Sequence, residues 1–143
     1  MPINAEQCEL AILRTLRAMS FPGVSSSEIV ARDRPLDWVS LPRGMWLIQD
    51  AELVGVGAAN KHDIGYSFGL YRVSGTSGGA GDAVRPIQDW RDKVRKTFAS
   101  ERLEDVPENF ICAVRSALFL RDREWQHNKA ISALNIVCWC REA

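Results

Sequence analysis

Residues 132–140 read SALNIVCWC, nine residues in which only Ser132 and Asn135 break an otherwise apolar run. On an extended chain, successive side chains point to opposite sides. In a strand over 130–140, Ile131, Ala133, Val137 and Trp139 then share a face with Asn135, and Leu134, Ile136, Cys138 and Cys140 occupy the other. An antiparallel strand with one wet face alternates apolar and polar residues, so two apolar faces predict a strand covered on both sides. Helices can cover one face. A neighbouring subunit is a candidate for the other.

The same period of two recurs upstream. Residues 60–73, NKHDIGYSFGLYRV, run from a polar turn into an aromatic strand at 66–73, where Tyr66, Phe68 and Leu70 share one face and Ser67, Gly69 and Tyr71 the other. Shorter strands are predicted at 28–32 and 45–50, with 53–59 as an extension of the second, and at 110–119. The proline-bearing stretch RPLDWVSLPRG, between the first two strands, reads as an ordered loop, and RDREWQHNK at 121–129 reads as the loop between the last two strands.

Two stretches carry the helical period instead. Over 5–19, Leu10, Ile12, Leu13, Leu16 and Met19 recur among Glu6, Glu9, Arg14 and Arg17, with Asn4 placed to cap the start and the FPG at 21–23 to end the helix. Over 84–100, Ile87, Trp90, Val94, Thr97 and Phe98 mark one face. Pro86 fits the first turn, and Arg91, Lys93, Arg95 and Lys96 are expected on the wet side. Between the third strand and this helix, SGTSGGAGD at 74–82 has no large side chain to bury and is expected to stay mobile until something covers it. The order helix, three strands, helix, two strands predicts an α+β fold, a mostly antiparallel sheet packed against two helices, as one domain over residues 1–143.

Composition narrows the function. The 143 residues are 46% hydrophobic and 25% charged, the balance of a globular chain. Lys+Arg and Asp+Glu are 18 each, so no net field attracts nucleic acid or an anionic membrane. The opening MPINAEQCEL has neither the basic start nor the apolar core of a secretory signal, and no apolar run approaches the roughly 20 residues that span a bilayer. A cytosolic setting is expected, with Cys8, Cys112, Cys138 and Cys140 as reduced, buried thiols.

No motif of catalysis or ligand binding stands out. Cys138-Trp-Cys140, even with His62 or His127, lacks the paired C-x₂₋₄-C spacing of a structural zinc site. The glycine-rich SGTSGGAG lacks the Gly-Lys-Ser/Thr ending of a phosphate loop. Glu104 and Asp105, or Asp33 and Asp37, lie in charged loop sequence, where solvation is the usual state, and Ser25–Ser27 have no Gly-x-Ser-x-Gly context. The expectation is therefore no enzyme, no metal and no cofactor. Of the five tryptophans, Trp90 and Trp139 read as core. Trp38 and Trp125 lie in charged loops and read as contact candidates, because tryptophan and arginine dominate binding hot spots.

The order α-β-β-β-α-β-β, with HDIGY (62–66) opening the third strand, WRDKVRKTFASERL (90–103) in the second helix and SALNIVCWCRE (132–142) at the end, resembles the tail terminator proteins of long-tailed bacteriophages and related particles. The resemblance covers Leu10 to Glu142. The glycine-rich loop and the paired cysteines have no counterpart in that family pattern. It implies a virion protein, assembled in the host cytoplasm, forming a homo-oligomeric ring, typically a hexamer. The ring would sit on the head-proximal end of the tail tube, stop polymerisation of the tube protein and join the tail to a head-closure protein of the neck, with no membrane and no sequence-specific nucleic acid as partner. Trp38, Arg43, Ser77, Gly78, Gly79, Arg121, Arg123 and Trp125 make up the expected contact set. The rival readings are a head-closure or adaptor protein of the neck, and a small cytosolic binding domain or enzyme built on a pocket between sheet and helices.

Overall fold

The structure is a computed structural model and describes residues 4–21, 24–31, 44–54, 63–75, 80–116, 124–126 and 129–141. Its elements are α1 (Asn4–Ala18), a 3-10 turn (Ser26–Glu28), β1 (Ile29–Ala31), β2 (Gly44–Val54), β3 (Asp63–Gly75), α2 (Ala80–Phe98), β4 (Asn109–Ser116), β5 (Glu124–Gln126) and β6 (Lys129–Arg141). The fold is α+β, with two helices and a six-stranded, mostly antiparallel sheet in the predicted order. The sheet runs β1-β2-β3-β6-β4, with β5 paired to β6, and among the described residues only the β1–β2 pairing is parallel.

The apolar run at 132–140 sits at the centre, because β6 pairs with β3 along thirteen positions and with β4 on its other side. Register turns the period of two into layers. Leu70 lies opposite Leu134, Phe68 opposite Ile136, Tyr66 opposite Cys138 and Leu47 opposite Leu70, and all are buried. Against this face pack Cys8, Ile12 and Leu16 of α1 and Trp90, Val94 and Phe98 of α2, in one core cluster. Complete burial of side chains such as Phe68, Leu70 and Ile136 stabilises the fold by about 1.5–3 kcal/mol each.

The opposite face is also covered, as the two apolar faces of β6 predict. Ala133, Val137 and Asn135 are 0%, 2% and 5% exposed within a single chain, so no neighbouring subunit is needed to withdraw them from solvent. Part of the reason is that large rings fold down over glycines. A Cβ at Gly65 would meet the Trp139 indole at 3.1 Å, one at Gly69 would meet the Tyr71 ring at 2.8 Å, and one at Gly44 would meet the Trp46 indole at 2.4 Å. Among these rings Asn135 Nδ2 donates to Ser67 Oγ at 3.1 Å, which satisfies two polar groups that burial would otherwise penalise.

Several boundaries differ from the sequence reading. Strand β2 is one continuous strand to Val54, accommodating an irregularity between Gln49 and Ala51, and 55–59 lie outside the described residues. Ser74 and Gly75 belong to β3, where Gly75 pairs with Lys129, and Ala80–Asp82 already belong to α2. The rest of the loop expected at 74–82, residues 76–79, lies outside the described residues, and Pro86 is the seventh residue of α2 instead of lying in its first turn. Arg91 is not on the wet side: it is 7% exposed, and its Nη1 donates to Ser132 Oγ at 2.8 Å and to the Ala133 carbonyl at 3.0 Å. The short β5 lies inside the stretch read as a loop.

Candidate functional site

Of the expected contact set, Trp38, Arg43, Ser77, Gly78, Gly79, Arg121 and Arg123 lie outside the described residues, as do His62 and His127. Trp125 is placed by its backbone in β5, opposite Ala130. What the structure does describe falls into a thiol row, a pair of buried arginines, a cleft and two exposed apolar patches.

All four cysteines converge. Cys138 and Cys140 point to the same side of β6, as their i, i+2 spacing requires, and that side faces α1 and the core. Cys112 lies opposite Cys138 in the β4–β6 register, with the sulfurs 3.7 Å apart, and Cys8 of α1 reaches Cys140 at 3.6 Å. The thiols of Cys112 and Cys8 both push the Cys138 thiol well above the ordinary range, and burial adds to it. The Cys8 thiol and then burial do the same to Cys140, against a smaller opposing effect of Asn109. Cys138 and Cys140 are thus held toward the protonated form, away from the thiolate that a nucleophile needs. All four are free and buried, and among the described residues no group of three or more His, Cys, Asp or Glu is placed to hold a metal ion.

Above this row, Arg72 and Arg91 are both buried on the helix-covered face. Burial lowers Arg72 to about 10, against the opposing pull of Asp89 and Glu28. Arg91 is held by Ser132 and the Ala133 carbonyl, so it braces α2 against β6. With both side chains in the interior, neither presents its charge to an external ligand.

A cleft of about 320 Å³ opens between α1, the end of α2 and residues 101–105. Its two threonines are committed to their own helices: Thr15 Oγ1 donates to the Ala11 carbonyl and Thr97 Oγ1 to the Lys93 carbonyl, both at 2.8 Å. Cys112 at its floor is 1% exposed. The cleft has a charged rim of Glu101, Glu104, Asp105 and Arg102, with Arg14 of α1 reaching Asp105 at 3.4 Å.

Among the described residues the large apolar side chains left exposed are Leu10, Phe110 and Ile111, at 58%, 41% and 38%. Leu10 was expected within the apolar stripe of the first helix, but the buried line of that helix is Cys8, Ile12 and Leu16, and Leu10 points away from the sheet. It has Glu6 one turn before it and Arg14 one turn after it. Burial, with a contribution from Glu6, raises the Glu9 carboxyl above its usual range. Phe110 and Ile111 sit at an irregularity in β4, where the register passes from Asn109–Cys140 to Ile111–Trp139. Asn109 anchors it: its Oδ1 accepts from Leu103 N–H at 2.7 Å and its Nδ2 donates to the Trp139 carbonyl at 3.0 Å. Arg141 lies over the Phe110 ring, 5.5 Å from its centroid. Arg102 donates to the Asn109 carbonyl at 2.8 Å, and Arg115 is exposed further along β4. Arg141 is also 3.9 Å from Asp63 Oδ1, and its N–H donates to the carbonyl of the exposed Glu108, so charges of both signs border this second patch. Sequence reading missed both patches: Leu10 counted as one more apolar residue of a helix, and Phe110 and Ile111 as the start of a strand.

The chain matches no protein-family model and no curated protein. Among the described residues no helix is long and apolar enough to cross a membrane.

Proposed function

We propose that the protein is a structural component of a phage-like particle: a tail terminator that forms a ring on the head-proximal end of the tail tube, ends tube growth and joins the tail to the neck. The observation that carries this reading is the order of elements, α-β-β-β-α-β-β with one short added strand, on a two-layer fold whose third strand, second helix and last strand carry residues 63–66, 90–98 and 132–141 of the three phrases of the resemblance. The disposition of chemical groups supports a role played by contact. The thiols are buried, Arg91 is engaged within the fold, and the exposed apolar residues lie on surfaces and not in the cleft.

Electron microscopy of particles assembled with the gene disrupted tests the reading. The expected result is tails of uncontrolled length beside filled, unjoined heads. Tails of normal length beside leaking heads would move the protein to the head side of the neck, and intact infectious particles would end the structural reading altogether.

A further inference from the structure

The four thiols lie close enough to react with one another, and the fold decides which of them can pair. Cys138 and Cys140 are two residues apart on β6, which keeps their Cβ atoms about 6–7 Å apart, beyond the roughly 3.5–4.5 Å that a disulfide spans. Cys112 and Cys140 are diagonal neighbours across the β4–β6 ladder, about 7–8 Å apart, and that also exceeds its reach.

Cys112 and Cys138, by contrast, are directly opposite. Both backbone groups of Cys112 turn away from β6: its N–H donates to the Glu101 carbonyl at 2.7 Å, and its carbonyl accepts from Ser100 N–H at 2.8 Å. The two cysteines therefore form a non-hydrogen-bonded pair, in which facing Cα atoms come closest, about 4.5 Å, inside the roughly 4.4–6.8 Å range of disulfides. Their sulfurs are 3.7 Å apart, and Cys8 reaches Cys140 at 3.6 Å from α1. Cys8 is also within hydrogen-bond reach of Cys138. A Cys8–Cys138 bond, however, would leave Cys112 and Cys140, which cannot pair, and a Cys8–Cys112 bond would leave Cys138 and Cys140. One complete pairing remains.

We propose that the thiol row is a staple closed by oxidation: Cys8–Cys140 and Cys112–Cys138 form disulfides in the folded chain when a small disulfide such as oxidised glutathione is supplied. A protein thiolate attacks the small disulfide and expels one thiol, and its neighbour then attacks the mixed disulfide and expels the second. Each pair of protein thiols and one small disulfide thus give one protein disulfide and two small thiols. Because the thiols are buried, reagent enters during openings of the core, and reclosure of the fold selects the native pairs. A reducing compartment keeps the row open and an oxidising medium closes it. The two bonds tie α1 and β4 to the central β6, and Cys8–Cys140 joins residues 132 positions apart. The staple requires only the fold and not a role in a tail.

The test incubates the full chain with oxidised and reduced glutathione in urea below the unfolding midpoint and blocks remaining thiols with iodoacetamide. Intact mass and unreduced peptide maps are then recorded. The expected product has lost four hydrogens, carries neither glutathione nor a blocking group, and yields the linked peptides Cys8–Cys140 and Cys112–Cys138. Its circular dichroism should be native, and its unfolded fraction at a given urea concentration should fall by roughly 30- to 700-fold, an effect that dithiothreitol reverses. Cys8→Ala should form Cys112–Cys138 alone, and Cys112→Ala should form Cys8–Cys140 alone. If a melt shows either variant to be unfolded, Cys140→Ala or Cys138→Ala removes the same bond from its other end. Wild-type thiols that end as glutathione adducts or blocked cysteines, any other pairing, or an oxidised chain without the native spectrum would overturn the proposal.

Discussion

Alkylation of the native protein with iodoacetamide separates a contact protein from an enzyme that uses a thiol. Cys8, Cys138 and Cys140 are 0% exposed and Cys112 is 1% exposed, and Cys138 and Cys140 are held protonated by their neighbours and by burial. Reagent then reaches them through unfolding of the core. With a stability of about 5–15 kcal/mol and a factor of ten for each 1.4 kcal/mol, reaction should be slower than in the denatured chain by roughly 10³-fold or more. The row spans α1, β4 and β6, so the thiols should become available together in one cooperative opening. Mass spectra taken during the reaction should show unmodified and fully modified protein with little between them. One cysteine labelled quickly and ahead of the other three would refute the reasoning, because it would identify an accessible, ionisable thiol of the catalytic kind.

The same thiols set a pH dependence. Both Cys138 and Cys140 are raised above their ordinary value of 9.0, so from about pH 9 upward the unfolded chain releases protons that the folded chain retains. Their stabilisation is complete below that pH and falls as the pH rises, by up to about 1.4 kcal/mol per pH unit for each thiol. Urea melts at pH 8 and pH 10 should show this fall, and a Cys138→Ala/Cys140→Ala chain should show less of it. Gly44→Ala tests the ring-covered face. Gly44 has φ +150°, and a Cβ would lie 2.4 Å from the Trp46 indole, which is 3% exposed and has little room to yield. Backbone strain of about 1–2 kcal/mol and overpacking of about 1–3 kcal/mol should lower the melting temperature by roughly 10 °C. A circular dichroism melt within a degree of wild type would contradict the packing described.

What could be read in the sequence is what local period determines. Residues 132–140 announced a central strand because both alternations are apolar, and Trp90, Val94 and Phe98 marked the buried side of α2 by spacing alone. What failed depended on partners distant in the chain. Arg91 looked like one more wet-face cation, and only the hydroxyl of Ser132 and the carbonyl of Ala133, some forty residues on, give it a reason to be buried. Ser74 and Gly75 have little strand character of their own, yet pairing with Ala130 and Lys129 extends β3 through them. A strand of three residues such as β5 has no period to detect. The i, i+2 spacing placed Cys138 and Cys140 on one side of a strand, but that Cys8 and Cys112 join them follows from tertiary packing across 132 and 26 residues.

The magnitude of the two patches constrains how a ring could form. Complete burial of a leucine, isoleucine or phenylalanine contributes about 1.5–3 kcal/mol, and scaling by the exposed fractions of 58%, 41% and 38% leaves about 3 kcal/mol of apolar gain for a contact that would cover all three. A micromolar association requires about 8 kcal/mol. Any remainder would have to come from surface around the patches. A gain this small also makes closure decisive. A chain adding to an open arc gains one such contact, whereas the chain that completes the ring gains two while its translational entropy is lost once. A weak repeated contact of this size therefore favours complete rings over open arcs, and it favours assembly on a surface that already holds the subunits side by side, as the end of a tail tube would.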